Sequence, residues 1–62
     1  MRALLKIECK GKVLFNSGVQ HDVPEVGEKI WVNFKEVEVT EVKKLYSRDE
    51  VVALVEVKKN EQ

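Results

Sequence analysis

Apolar and polar residues alternate along most of the chain with a period of two, which is the pattern of a half-buried β-strand. In the first segment, Arg2–Cys9, every second residue from Ala3 onward is apolar, and the charged Lys6 and Glu8 lie between them. The chain also contains 12 valines, and β-branched residues favour strands over helices. The sequence therefore predicts an all-β fold.

Turn residues divide the first half of the chain into segments. Lys10-Gly11-Lys12 supplies a glycine where a hairpin requires positive φ, and Asn16-Ser17-Gly18 predicts the end of the second strand. Residues 19–28 form the longest irregular stretch and contain the only proline. We expect Gly27 to adopt a tight conformation there and the loop to be anchored to the core by Val23 and Val26.

The second half predicts three more strands. Residues 29–34 form the third, and a tight turn without glycine follows at residues 33–36. Residues 35–46 fit a fourth strand or an amphipathic helix, and the valine-rich composition and missing N-cap favour the strand. The alternation slips after Val39, which predicts a β-bulge at Thr40-Glu41. Residues 46–50 turn the chain into a last strand, 51–58.

Five short strands joined mostly by short turns predict a five-stranded antiparallel barrel, with one domain at residues 1–58 and a polar tail at 59–62. Pro24-Glu25-Val26-Gly27-Glu28-Lys29-Ile30, followed by a strand meander, resembles SH3-like small barrels over residues 23–57. The glycine turn of that pattern is replaced here by Asn33-Phe34. The layout also resembles that of short phage and prophage proteins.

The alternation assigns apolar residues to two faces. The inward set is Ala3, Leu5, Ile7, Val13, Phe15, Ile30, Val32, Val37, Val39, Val51, Ala53, Val55 and Val57. The outward set includes Leu4, Leu14, Trp31, Val52 and Leu54. Because burying each such side chain is worth roughly 1.5–3 kcal/mol, we expect a second copy of the chain to cover this face. The alternatives are cover by the long loop and scattered exposure of single residues.

The amino-acid composition limits the reactions and metal sites that the chain can support. Eleven basic and 11 acidic residues give a net charge of zero, and one cysteine excludes an intrachain disulfide and a site of cysteines alone. The candidate nucleophiles are Ser17 and Cys9, and we expect Cys9 to pack in the core. Nucleophilic catalysis would need His21 as the base and Asp22 in line behind it to orient the imidazole. Adjacent side chains rarely form that line, so the sequence predicts a protein that is not an enzyme and needs no metal or cofactor.

Charge and hydropathy also bear on partners and location. Aromatic Trp31, Phe34 and Tyr46 have basic neighbours, Lys29 and Lys35 among them, but acidic residues interleave with these and argue against nucleic-acid binding. The longest apolar run, residues 51–55, is too short to cross a membrane. An unpaired cysteine and the lack of a secretory signal predict a cytoplasmic protein.

These features favour a self-associating binding module that acts through protein–protein contacts. Trp31 and Tyr46 are the candidate anchors, together with the outward Leu4, Leu14, Val52 and Leu54. The resemblance to phage proteins implies an alternative, a protein that sequesters nucleotide signals in pockets between subunits, with phosphate contacts from Lys43, Lys44 and Arg48. A third possibility is a structural subunit of an assembly.

Overall fold

A computed structural model describes residues 2–59 as five strands in one curled sheet, a half-barrel. The strands are β1 Arg2–Cys9, β2 Lys12–Asp22, β3 Lys29–Val32, β4 Lys35–Tyr46 and β5 Val51–Lys59. The predicted all-β class is confirmed, and the helical alternative for residues 35–46 is wrong. No part of residues 2–59 forms a helix with the length and apolarity that a membrane span requires.

The sheet is mixed, which corrects the prediction of a purely antiparallel barrel. Its strand order is β2-β1-β5-β4-β3, and β1 pairs with β5 in parallel, Leu4 opposite Val52 and Ile7 opposite Val55. Successive strands alternate in direction along the chain, so the first and fifth run the same way. When β5 inserts between β1 and β4, it must meet β1 in parallel and β4 in antiparallel pairing.

The core lies on the inner face of this curled sheet. Its buried members are Ala3, Leu5, Ile7, Cys9, Val32, Val37, Val39, Ala53, Val55 and Val57. Ile30 and Val51 are partly buried against it. The predicted inward set is therefore confirmed for β1, β3, β4 and β5. Residues one position away in these strands face outward, as the period of two requires.

Strand β2 departs from the prediction. Val13, predicted inward, lies opposite Glu8 and is 45% exposed, whereas Leu14, predicted outward, packs against the core. Phe15 lies opposite the buried Ile7, so it is on the inner face as predicted, with 38% of its surface exposed. A register shift lies between the pairs Ile7–Phe15 and Glu8–Val13, so Leu14 is an extra residue in β2. Such a bulge changes the face that a side chain points to, which explains the inversion.

A second irregularity lets β2 continue where the sequence predicted its end. The β2 partner jumps from Gln20, opposite Leu4, to Asn16, opposite Lys6. Within this bulge the Ser17 hydroxyl lies 2.9 Å from the Val19 carbonyl oxygen, and it accepts the Val19 N–H at 3.1 Å. The side chain thus bonds backbone groups that the ladder leaves out, and β2 extends to Asp22.

Both two-residue hairpin turns require positive φ at their central positions. In the first turn Lys10 has φ 52° and Gly11 has φ 81°; in the second, Asn33 has φ 53° and Phe34 has φ 66°. Two positive φ values identify type I′ turns, which match the twist of the flanking strands. The tight turn predicted without glycine is thus confirmed, and Phe34 occupies the position that Gly11 holds in the first hairpin.

The predicted bulge in β4 is confirmed as a register shift between Val39 and Glu41. In the loop before β3, Gly27 has φ 92° and its N–H donates to the Val39 carbonyl at 2.8 Å. Val23 packs against the core as expected, but Val26 is exposed, so its predicted anchoring role is wrong.

The predicted boundary between the domain and its tail shifts by one residue. Lys59, assigned to the tail from sequence, belongs to β5 and pairs with Val37. The remaining tail residues, 60–62, lie outside the described residues.

Candidate binding site

One end of the sheet collects the ends of the three odd-numbered strands. Because strand direction alternates along the chain, the β1–β2 turn, the β3–β4 turn and the end of β5 all lie at this end. These segments have the sequences Cys-Lys-Gly-Lys, Val-Asn-Phe-Lys and Val-Lys-Lys. The topology therefore brings lysines from distant parts of the chain together.

These segments enclose a cleft of about 760 Å³. Its apolar lining comes from Cys9, Val13, Leu14, Val32 and Val37. Its polar lining comes from Asn33 and five lysines, Lys10, Lys12, Lys35, Lys58 and Lys59. The volume lies in the range of ligand pockets, and an apolar floor with a few polar groups is their usual lining. We call this feature the lysine cleft.

Strand register explains why three of the lysines face the inner side. Lys12 lies opposite Cys9, Lys35 opposite Val32 and Lys59 opposite Val37. Directly paired residues share a face of a sheet, and each of these three partners is buried in the core. Since the strands end here, the long lysine side chains can extend beyond the core while their stems continue its apolar surface.

A side-chain hydrogen bond holds the two walls of the cleft together. Asn33 Nδ2 donates to the Leu14 carbonyl oxygen at 3.0 Å, joining the β3–β4 turn to β2 across the open side of the sheet. Leu14 is the bulged residue of β2, so its carbonyl is free of the regular ladder. The bulge thus contributes both an apolar side chain to the cleft and the acceptor that fixes its opposite wall.

The electrostatics of the cleft differ from those of the whole chain. Five of the nine lysines line it, and within the part of the chain that the structure describes no carboxylate does so. The ion pairs found among residues 2–59 are Arg2–Asp22, Lys6–Glu8 and Lys43–Glu41, and none of them uses a cleft lysine. Five lysines therefore lie together at one end of a chain with zero net charge, with Glu38 opposite Lys58 and Glu36 next to Lys35 as the nearby carboxylates of the described strands.

An exposed aromatic side chain stands beside the cleft. Phe34 is 98% exposed at the tip of the β3–β4 turn, between the lining residues Asn33 and Lys35. Trp31, 70% exposed, lies on the same hairpin opposite Glu36. Phe34 does not itself line the cleft, and its ring is open to solvent.

The structure brings only part of the predicted interface together. Leu4, Val52 and Leu54 share the outer face and are partly buried. Leu45, which is 52% exposed, joins them because it pairs with Val52. We call these four residues the outer patch. The sequence did not include Leu45 because the β4 bulge reverses the faces after Val39.

The other predicted interface residues lie elsewhere. Leu14 packs on the core. Trp31 is beside Glu36, nine residues from Leu45 along β4 and about 30 Å away at the usual rise per residue. Tyr46 is exposed opposite Val51 at the far end of the sheet. The long loop packs Val23 on the core, so this contact lies on the inner face and not on the outer patch.

The predicted phosphate contacts do not converge. Lys43 pairs with Leu54 of the outer patch, and its Nζ lies 3.8 Å from Glu41 Oε1. The neighbouring Lys44 is opposite the buried Ala53, so the two lysines point to opposite faces. Arg48 is exposed in the β4–β5 turn. All three lie toward the end of the sheet opposite the lysine cleft.

Sequence reasoning missed Lys10, Lys12, Lys58 and Lys59 as site residues. The usable signal was present: each lies at a turn or strand end, and five strands of alternating direction place these particular ends together. If the predicted strands are taken to alternate in direction, these four lysines fall at the same end of the sheet as Lys35.

The residues considered for catalysis form one contact. His21 Nε2 lies 2.8 Å from Ser17 Oγ, and the Phe15 ring stands edge-on to the imidazole at 6.0 Å. Asp22 is directed to Arg2, with 3.2 Å between Arg2 Nη1 and Asp22 Oδ1. Ser17, His21 and Asp22 therefore do not form a relay. Among residues 2–59 no cluster of three metal-ligating side chains is found, and Cys9 is a buried thiol.

Comparison of the chain with models of protein families, with curated proteins and with solved structures gives no match. The functional interpretation therefore depends on the geometry of the lysine cleft and the outer patch.

Proposed function

We propose that this protein is a small non-enzymatic binding module that holds a phosphate-bearing ligand in the lysine cleft. The observation that carries the proposal is the lining itself: five lysines and no carboxylate of the described residues, around an apolar floor, in a chain of zero net charge. Maintaining like charges together opposes folding, so a bound anion would stabilise the native state.

The chemistry of the lining favours phosphate over a carboxylate ligand. Arginine suits planar, two-point recognition of carboxylate and phosphate alike, whereas lysine acts as a compact point charge, so a cluster of lysines matches a ligand with several charged phosphate oxygens better than a single carboxylate. The cleft has five lysines and no arginine. Its valine and leucine side chains offer a surface for an apolar or aromatic portion of the same ligand, and the Asn33 side chain is held in the wall by its bond to Leu14.

The same lining supports a role in binding. General acid–base catalysis needs a group that changes protonation near neutral pH within reach of the substrate. Carboxylates and imidazole are missing from the cleft walls that residues 2–59 provide, and His21 contacts Ser17 in β2. A non-enzymatic role remains a prediction from the sequence.

A titration monitored by amide NMR shifts tests the proposal, with inorganic tripolyphosphate as the probe. We expect the amides of Lys10, Lys12, Asn33 and Lys58 to move together in a saturable way. The double variant Lys12→Gln/Lys59→Gln should weaken binding by roughly 30-fold, at about 1 kcal/mol for each lost charge–charge contact.

The matched control is Lys43→Gln/Lys44→Gln, which changes the net charge equally at the other end of the sheet. Equal weakening by both double variants would show a net-charge effect and refute the cleft. Loss of binding in the control variant alone would favour the phage-type alternative, in which Lys43, Lys44 and Arg48 contact the phosphate between subunits.

Self-association is a second candidate property, and the outer patch favours it. Leu4, Leu45, Val52 and Leu54 form a continuous apolar group across three strands. The flanking charges occur as the pairs Lys6–Glu8 and Lys43–Glu41, so two copies of the patch can approach without net repulsion. We infer a protein–protein contact between two copies. A role as a structural subunit of an assembly remains a prediction, as does the SH3-like form of the barrel.

Light scattering after size-exclusion chromatography tests this contact. We expect wild type to have a mass above that of one 7.2 kDa chain at micromolar concentration, and Leu54→Lys to be monomeric. Val26→Lys adds the same charge at an exposed loop valine and should leave the mass unchanged. A wild-type monomer at these concentrations would exclude the outer patch as a self-association surface.

A further inference from the structure

We propose that the ligand of the lysine cleft is single-stranded nucleic acid, with its backbone along the lysines and one base stacked on Phe34. This inference rests on the proposed function, because it specifies the ligand class of the same cleft. The sequence set interleaved carboxylates against such a role. Among the described residues no carboxylate lines the cleft, and Glu38 lies opposite Lys58 on the neighbouring strand.

The first observation is that Phe34 is energetically unfavourable where it stands. Its φ of 66° is a left-handed conformation, which bulky side chains rarely adopt and glycine adopts freely. The equivalent residue of the first hairpin is Gly11. With 98% of its surface exposed, the Phe34 ring gains almost no packing within the described chain that would offset this cost. Strained residues of this kind are concentrated at binding sites.

The second observation is the position of the ring. Asn33 and Lys35 both line the cleft, and the solvent-exposed Phe34 lies between them in the chain. A type I′ turn pinned by the bond between Asn33 and Leu14 gives the ring a fixed support. An aromatic side chain beside a lysine-lined groove is the combination by which proteins bind unpaired strands, since bases stack on the ring while ammonium groups follow the phosphates.

The lining distinguishes this ligand from related anions. A mononucleotide has one to three phosphates and engages few of the five lysines. A duplex has its bases stacked internally, so the Phe34 ring has no free base face. An acidic peptide offers charge but no stacking surface. Lysines, which bind phosphate as point charges, and a lone phenylalanine ring provide no pattern of base-edge hydrogen bonds, so binding should depend weakly on sequence.

Fluorescence anisotropy with a labelled 12-nucleotide oligothymidylate tests the proposal in 50 mM salt. We expect wild type to bind it at least tenfold more tightly than a 12-base-pair duplex or ATP. With five lysines available, the plot of log affinity against log salt should have a slope no steeper than about −3.5, which corresponds to about −0.7 for each phosphate neutralised on a single strand.

Variants at Phe34 separate stacking from charge. Phe34→Ala keeps a non-glycine residue in the turn but removes the ring, and it should weaken oligonucleotide binding by about fivefold to 150-fold, the equivalent of one lost stacking contact. Phe34→Trp should retain binding. Tyr46→Ala, which removes an exposed ring at the opposite end of the sheet, should have no effect.

The outcomes distinguish this inference from the proposed function. If tripolyphosphate shifts the cleft amides but Phe34→Ala binds the oligonucleotide like wild type, the cleft holds phosphate and the stacking proposal is wrong. If the Lys12→Gln/Lys59→Gln variant binds every phosphate ligand like wild type, both are wrong. Tighter binding of a poly-glutamate peptide than of the oligonucleotide would also overturn the nucleic-acid assignment.

Discussion

Replacing Phe34 by glycine should make this protein more stable. A non-glycine residue in the left-handed region costs about 1–2 kcal/mol, and Phe34 has φ 66°. Glycine removes that cost but orders a more flexible residue, which opposes folding by about 0.5–1 kcal/mol. Since the ring is 98% exposed, its removal forfeits almost no burial. The net expectation is a gain of about 0.5–1 kcal/mol in the free energy of unfolding.

Urea denaturation followed by circular dichroism measures this change, together with thermal melting. A gain of this size should raise Tm by roughly 2–8 °C for a domain of this length, with the urea m-value unchanged because the exposed surface is the same. Phe34→Ala is the matched control: it removes the ring and keeps the strained backbone, so its stability should stay within about 0.5 kcal/mol of wild type.

A Phe34→Gly variant that is less stable than wild type would refute this reasoning, because it would show that the ring packs against something in the folded protein. If Phe34→Gly is more stable and also loses affinity for the oligonucleotide, one substitution separates folding from binding. The ring would then be a feature that costs stability and serves the ligand.

Three further substitutions test the turns and the core by urea denaturation. Gly11→Ala should lower the free energy of unfolding by about 1 kcal/mol, because alanine is strained at a φ of 81°. No atom lies within 4 Å of the added Cβ, so a steric clash does not contribute, and an unchanged stability would contradict the strain argument. Asn33→Ala should lower it by about 0.5–1.5 kcal/mol through loss of the solvent-exposed bond to Leu14. An increase would show that the bond is dispensable. Val55→Ala removes two methyl groups from a fully buried site and should cost about 2–3 kcal/mol; a loss below about 1 kcal/mol would indicate that the core repacks.

Strand content and the core of four strands could be predicted because one period governs them. In β1 and β5 the apolar residues recur at every second position without interruption, so the inward face follows directly from the letters. The bulge in β4 was also readable, because Val42 arrives one position late. In each case the signal lies in the sequence of the strand itself.

Strand β2 could not be predicted in the same way, because its irregularities depend on partners far away in the chain. Leu14 turns inward since the β3–β4 turn supplies Asn33 for its carbonyl, and Ser17 stabilises a bulge opposite β1. Asn33 is outside β2 and far from Leu14 in sequence, so the local sequence does not show it. Ser17 bonds Val19 within β2, but in the sequence it reads as a turn residue. The parallel pairing of β1 with β5 is likewise a property of strand order, which the alternation of residues does not encode.

The candidate site was missed for the same reason. The cleft lysines are separated along the chain, and each one taken singly belongs to an ordinary polar turn or strand end. Only their placement at one end of the sheet gives them a shared role. By contrast, Lys43, Lys44 and Arg48 are close in sequence, but β-strand geometry points neighbouring side chains to opposite faces.

The parallel contact between β1 and β5 has a consequence for the route by which the chain folds. Each hairpin can form within microseconds from neighbouring residues, but the β1–β5 contact joins segments at opposite ends of the described sequence and closes a loop of nearly its whole length. During synthesis on a ribosome, one edge of β1 therefore stays without a strand partner until β5 has been synthesised. High contact order of this kind slows folding, so docking of the β1–β2 hairpin on the three-stranded β3–β4–β5 meander should be the slow step of folding.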